Sequence, residues 1–490
     1  MKYDKTDPKS IENYAKTLIG HTFNEVAEWK LNNINKPAEY NYDNKARKGG
    51  LGNFIEEQFF GYEANSDSSA DFNEAGVELK VSPYEKKKGG KLSAGERLVL
   101  SMISYKSPVE PNFYTSHLWE KCKSILLIYY LRDKSLKSNM DYRIDFVDLF
   151  TPPEEDLKII EQDYNLIIDK ISSGKAHELS EADTMYLGAC TKGANAEKST
   201  VPQEYYAPDI KARKRAFCYK NSYMSYVLNN YIVPKKDEQE SIIKDKNELK
   251  EKTFEDIITE RIGAYIGKTD KELCNIFGLE YTGNKAQWTT LAYKMLGVGS
   301  NKAEEFTKAQ IVIKTISLEE SGVLRENSPL PAFSFMELIE EEWEEAELYR
   351  YFDETKFFFV VFQKHGESRY LKGCQLWNMS TEDLNGAVRE GWESVKNVVK
   401  NGVELKKKQK AKGIEIKNNL LKKSENPIVH VRPHTSQTYY VFENGEVFGN
   451  GRLSDSDLLP DGRRMTKQSF WLNSDYIVSQ LTDSLKKTNI

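Results

Sequence analysis

No apolar run in this 490-residue chain approaches the roughly twenty residues a bilayer demands, and its start lacks the layout of a signal peptide. Neither a membrane span nor export is expected. Cysteine is scarce and odd in number: Cys122, Cys190, Cys218, Cys274 and Cys374, with no Cys-x-x-Cys pair. They read as free thiols in a reducing cytoplasm. No Walker-type glycine loop and no nucleophile elbow is present, so neither a P-loop nucleotide site nor a serine-hydrolase triad is indicated. An excess of positive charge is missing too. The net charge of −5 argues against a uniformly basic nucleic-acid binder.

What is present describes a soluble globular protein of two or three domains: 30% charged, 39% hydrophobic and 12% aromatic residues, 28 of them Tyr. Charge is distributed unevenly. Seven glutamates crowd Glu337 to Glu347, while Lys45-Ala-Arg-Lys48, Lys86-Lys-Lys88 and Lys211-Ala-Arg-Lys-Arg215 are basic knots in the first half. Such knots are usually solvated faces, but around a pair of carboxylates they suit a polyanionic ligand.

That pair lies in Asp71-Phe-Asn-Glu-Ala-Gly-Val-Glu-Leu-Lys80. Val77, Leu79 and Val81 alternate with Glu78 and Lys80, the period of a half-buried strand, so the acid and the amine point the same way. A short hairpin at Gly76 can return Asp71 to the same place. Two acids and a lysine at one point suit Mg²⁺ and a water attacking a phosphate. Glu-x-Lys alone also occurs on many solvated strands. Glu56, on a short helix capped by Gly61, is either a third acid over the metal or a solvated helix residue.

Elsewhere the spacing predicts an opening helix within 9–35, a strand over 97–105, a central strand at Ser124 to Leu131 and a helix of about twenty residues from Glu154. Residues 234–252, highly charged, read as a linker or bridging helix. Beyond them the chain repeats itself. Glu305-Phe-Thr-Lys-Ala-Gln-Ile-Val-Ile-Lys314 lies over Asp71 to Lys80 without a gap, and Phe357 to Phe362 takes the place of the Ser124 strand. Val429 to Thr438 stands where Gly188 to Ala196 stands, and Arg464 to Tyr476 mirrors Arg215 to Tyr226. Four matches in one order indicate two copies of one domain. Glu78 becomes Val312 in the copy, which cannot ligate a metal, so the second half is expected to bind without cutting. His430 and His434 lack further zinc ligands nearby and read as loop residues, touching phosphate or solvated.

Asp71…Glu78-Leu-Lys80 resembles the active site of the PD-(D/E)xK nuclease superfamily. Leu51-Gly-Asn-Phe-Ile-Glu56, Ala75-Gly-Val-Glu-Leu-Lys80 and Lys192-Gly-Ala-Asn-Ala196 look like its MutH branch, which nicks DNA at GATC in mismatch repair. The doubled arrangement is similar to type II restriction endonucleases that cut GATC with two MutH-like halves. The resemblance implies an α/β fold of two tandem MutH-like domains, each a mixed central sheet flanked by helices: a catalytic domain over 1–233 and a non-catalytic, DNA-binding or effector domain over 253–490. It assigns Asp71 and Glu78 to Mg²⁺ and Lys80 to the attacking water. Glu56 becomes the helix acid, although counting back from Gly61 gives Glu57, and Lys121 a further active-site lysine. Lys48, Lys192 and Lys220, with Arg432 and Lys467 in the copy, fall on DNA-contacting segments. The implied partners are double-stranded DNA, a second chain on the same site and, genetically, a cognate DNA methyltransferase. The family's Arg-Pro is Cys190-Thr191 in the first half and Arg432-Pro433 in the second. The tyrosine with which MutH senses adenine methylation is Cys218, so N6-methylation is expected not to block cutting. The rival readings are a mismatch-repair nickase and a non-catalytic DNA-binding protein.

Overall fold

The computed structural model describes residues 3–31, 50–62, 69–133, 135–193, 199–233, 239–299, 302–410 and 413–487. Its contacts divide the chain into two units, Met1–Phe254 with Lys302–Ile311, and Glu255–Asn301 with Val312–Ile490. Among the described residues no helix is long and apolar enough to cross a membrane.

In the first unit the opening apolar stretch forms two helices, α1 (Pro8–Ala15) and α2 (Phe23–Leu31), not one. Gly20 between them takes a left-handed φ of 90°, which ends a helix. Helix α3 (Gly50–Phe54) widens into a π-helical turn, Ile55–Phe60, closed by Gly61 at φ 82°. Strands β1 (Glu78–Lys86), β2 (Leu92–Ala94), β4 (Ile125–Leu131) and β5 (Ile144–Phe150) form a mixed sheet in the order β2-β1-β4-β5. β1 runs parallel to β4, Lys80 opposite Leu127, and β5 is antiparallel to β4. Ile125 to Tyr129 of β4 are fully buried, as the dense apolar run predicts for a central strand.

An antiparallel sheet joins β3 (Leu98–Met102) and β6 (Leu187–Thr191) on either side of β9 (Arg215–Tyr219), with a hairpin of β7 (Thr200–Gln203) and β8 (Ala207–Arg213). Helices α4 (His117–Cys122), α5 (Glu154–Ser172) and α6 (Asn221–Val227) complete the unit. From residue 239 the charged stretch packs into this same unit, burying Ile242 and Leu249.

The second unit repeats the order of elements. β10 (Ile311–Leu318), β12 (Lys356–His365) and β13 (Ser368–Trp377) form one sheet. β11 (Ser328–Ala332), β21 (Gln468–Leu472) and β16 (Val429–Pro433) form another, in that order. These stand as β1-β4-β5 and β3-β9-β6 do in the first unit, and the helix Arg389–Asn401 falls where α5 falls. Additions are the hairpin β14 (Leu405–Lys410) and β15 (Gly413–Asn418), and a small sheet of β17 (Tyr440–Val441), β18 (Val447–Phe448), β19 (Ser456–Leu458) and β20 (Arg464–Thr466). One backbone detail parallels the sequence repeat. Gln310 is left-handed at φ 55°, the one non-glycine with positive φ among the described residues, and it falls opposite Gly76 at φ 63°.

The helix Glu304–Ala309, which the repeat sets against Asp71–Ala75, belongs to the first unit. Glu305 accepts hydrogen bonds from the amides of Ile242 and Ile243 (2.8 and 3.0 Å) and from Ser241 Oγ (2.6 Å). Lys308, 1% exposed, meets Asp156 Oδ1 and Glu304 Oε1, each at 2.7 Å. It lies over the rings of Tyr226, Tyr186 and Tyr231 at 4.6, 5.7 and 5.8 Å. Burial works against this charge, but the two acids and the tyrosine cage outweigh it and raise the lysine above its ordinary range.

Candidate active site

Asp71 is carried back to β1 by a tight turn. Phe72 and Val77 exchange backbone hydrogen bonds (2.9 and 3.2 Å) across Asn73–Ala75 and the left-handed Gly76. Asp71 Oδ2 then accepts from the Leu79 amide at 2.8 Å, which fixes the carboxylate beside the strand. Phe72, Val77 and Leu79 hold the turn down in the core.

Glu78 opens β1, and its amide donates to the Ser124 carbonyl (3.0 Å) at the end of α4. That bond brings the last turn of α4, and Lys121 with it, against the acid. Glu78 is 2% exposed; Oε1 meets Lys80 Nζ at 2.7 Å and Oε2 faces Lys121 Nζ at 3.1 Å. Oε2 makes no hydrogen bond of good geometry, which leaves lone pairs of a buried carboxylate unused.

Glu56 shares this field. Its carboxyl is pushed up to about 7, first by burial and then by Asp71, with Glu78 and Glu57 adding and Lys80 opposing. Asp71 is raised too, by burial and by Glu78, against the Leu79 amide, Lys80 and Lys121. Three acids facing two amines thus repel one another, a strain that a divalent cation relieves. The π turn over Ile55–Phe60 holds one residue more than an α turn would, and it is Glu56 whose carboxyl feels Asp71, Glu78 and Lys80. The sequence offered no sign of that turn.

Among the described residues, no three His, Cys, Asp or Glu side chains close on one point. Asp71 and Glu78 are the two carboxylates that could hold a divalent ion here, with water and phosphate completing its shell. That donor set fits Mg²⁺ better than a closed zinc cage.

Of the other candidates, Lys48 lies outside the described residues. Lys192 follows β6 half-exposed, its amide bonded to the Lys214 carbonyl (2.9 Å). Lys220 is corrected: it is 2% exposed at the start of α6, and its amine is spent on the Thr184 carbonyl. Arg432 is exposed on β16 with its guanidinium 5.9 Å from the centre of the Trp471 ring, and Lys467 is half-exposed. His430 is not a loop residue. It is buried on β16 with Nδ1 2.6 Å from Asn473 Oδ1, whereas His434 is exposed. Cys218 is buried beside Gly188 and Glu181. Sequence reasoning missed Tyr62, whose buried hydroxyl has no hydrogen-bond partner and lies within the field of Asp71 and Glu56.

The chain is similar to known nucleases. The family model of the DNA mismatch repair enzyme MutH matches residues 60–163, a span holding Asp71, Glu78, Lys80 and Lys121. The type II restriction enzyme Sau3AI of Staphylococcus aureus is 38% identical over 467 residues, 90% of this chain and 94% of that protein. The chain belongs to that restriction-enzyme family. MutH proteins of Shigella boydii serotype 18 and Escherichia coli strain SMS-3-5 are 27% and 26% identical over 223 residues. Each match covers 45% of this chain and 90% of the MutH protein. A MutH protein is thus spanned by about half of this restriction enzyme, whereas Sau3AI is spanned by nearly all of it.

Proposed function

We propose that this type II restriction enzyme cuts both strands of double-stranded DNA at GATC, with Mg²⁺ held by Asp71 and Glu78. The observation that carries the reading is buried Glu78 beside half-buried Asp71, with Lys80 and Lys121 on the Glu78 carboxylate and Val312 in its place in the second unit. A divalent ion held by Asp71 and Glu78 would supply Lewis-acid chemistry, making the scissile phosphate more electrophilic and a water more acidic. Lys80, with 23% of its side chain exposed, orients the attacking water toward the phosphorus. Lys121 offsets the charge that builds on the phosphate in the transition state. Glu56 accepts a proton from solvent or water as the site turns over. The segment after Lys192 reads base edges in the major groove.

The second unit serves as a DNA-binding copy without catalysis, using Arg432 and Lys467, and activates the first. Two chains on one site, or two successive nicks, complete the double-strand cut. The enzyme works in the cytoplasm beside a cognate methyltransferase that protects the host. Incubation of plasmid with Mg²⁺ tests the reading: linear fragments support it, nicked circles point to a repair-type nickase, and unchanged plasmid to a binding protein. Glu78→Ala abolishes cutting while DNA binding in Ca²⁺ persists. Equal rates on plasmids with one and with several GATC sites would remove the activating role.

A further inference from the structure

The second unit keeps the amine, but its carboxylate pair is broken. Its counterpart of Asp71, Glu305, is buried and saturated by the 241–243 backbone and hydroxyl. Its counterpart of Glu78, Val312, packs against the core of the second unit together with Ile316. Lys314 lies between those two on β10, on the same face by strand alternation and half-exposed. Among the described residues its amine meets the Pro329 carbonyl, at 3.3 Å, and no carboxylate. Lys80, by contrast, is neutralised by Glu78 at 2.7 Å.

Resting on the reading of the second unit as a DNA-binding copy, we propose that Lys314 takes a backbone phosphodiester of duplex DNA directly, without a metal ion. The first unit presents three acids and two amines to a phosphate, and so repels it until a divalent cation reverses the sign. The second presents the Lys314 amine with Val312 in place of the buried glutamate, while the nearby Lys285 is paired with Glu326 at 2.6 Å on the exposed surface. Burial first and Lys285 second hold the Lys314 amine down at about 8, a penalty that a bound phosphate removes. The dead site is thus a converted one: a lysine performs the electrostatic task that the living site leaves to a cation.

Wild-type full-length chain is titrated with a fluorescent GATC duplex in Ca²⁺ and, separately, in EDTA. Two duplexes per chain in Ca²⁺ and one in EDTA are expected. Lys314→Met, which keeps the aliphatic stem, weakens the EDTA complex about tenfold and lowers its salt slope by about one, while Lys314→Arg preserves both. Circular dichroism checks folding; should Lys314→Met fail to fold, Lys314→Gln carries the same comparison. Two duplexes in Ca²⁺ with none in EDTA, or a Lys314→Met complex as tight as wild type, would overturn the metal-free anchor and leave the second unit a DNA-binding copy. A single duplex in Ca²⁺ would remove that copy's role and the anchor with it.

Discussion

Replacing Lys308 with Met tests how the first unit is held together. The ammonium lies 2.7 Å from Asp156 Oδ1, and both side chains are at least 98% buried. Methionine fills nearly the same volume and packs well against tyrosine rings, so no cavity term arises. The loss is electrostatic: Asp156 keeps its bond from Tyr223 Oη (3.0 Å) but faces a dry interior without its cation. Breaking a buried pair on one side costs about 3–5 kcal/mol. Asp156 is already raised by burial, so it takes up a proton and limits the loss to the lower end, about 3 kcal/mol near neutral pH. Urea unfolding at pH 7, followed by proteolysis of the first unit, reads this directly. Because the two units need not unfold together, the midpoint assigned to fragments of residues 1–254 is the one that counts. The double variant Asp156→Asn with Lys308→Met recovers more than half of the loss. A single-variant loss below about 1 kcal/mol, or no recovery in the double variant, would refute the pairing.

Three further outcomes follow from the geometry. Lys121→Met lowers single-turnover cutting about 100-fold with little change in DNA affinity in Ca²⁺, since it removes a charge aimed at the transition state; an unchanged rate would show that Lys121 serves Glu78 alone. Glu12 is buried on α1 with Lys16 at 2.6 Å and Lys9 at 2.5 Å; burial raises its carboxyl, but the lysines win and hold it at about 2. A folded value below the ordinary 4.5 stabilises above that pH and is lost as pH falls from about 4.5 to 2. Wild type therefore exceeds Glu12→Gln by about 1–2 kcal/mol at pH 7, screened because both lysines are exposed, and the gap narrows below pH 4.5 and closes near pH 2; equal stability at pH 7 would contradict the pairing. GATC plasmids with and without N6-methyladenine are cut at the same rate, because Cys218 is buried where MutH has its sensing tyrosine; protection of the methylated plasmid would refute this.

Much of the catalytic strand was legible. Alternation over Val77–Val81 marks one face as core, Gly76 marks the turn that returns Asp71, and the apolar density of Ile125–Leu131 marks the central strand beside it. These signals are local, so a pattern suffices to read them. What escaped depends on distant partners. Lys220 looks like any basic residue next to a strand, and only the Thr184 carbonyl, 36 residues away, shows where its amine goes. His430 sits in a polar-looking run, yet Asn473 takes it inside. The extra residue in the Ile55–Phe60 turn has no composition of its own, which is why Glu56 and Glu57 could not be told apart by counting. The repeat was visible because Phe306, Ala309 and Lys314 kept their chemistry, but nothing in Glu304–Ala309 announced that this helix packs with the first unit.

The placement of Lys308 bears on synthesis as well as on stability. A ribosome delivers residues 1–254 first, with Tyr186, Tyr226, Tyr231 and Asp156 all in hand but nothing to seat among them. The cage closes only after the chain has been extended past residue 309, when more than half of the protein has been made. The nascent chain therefore cannot finish the core of its first unit early, and that core waits on a peg translated only after residues 255–301 of the second unit.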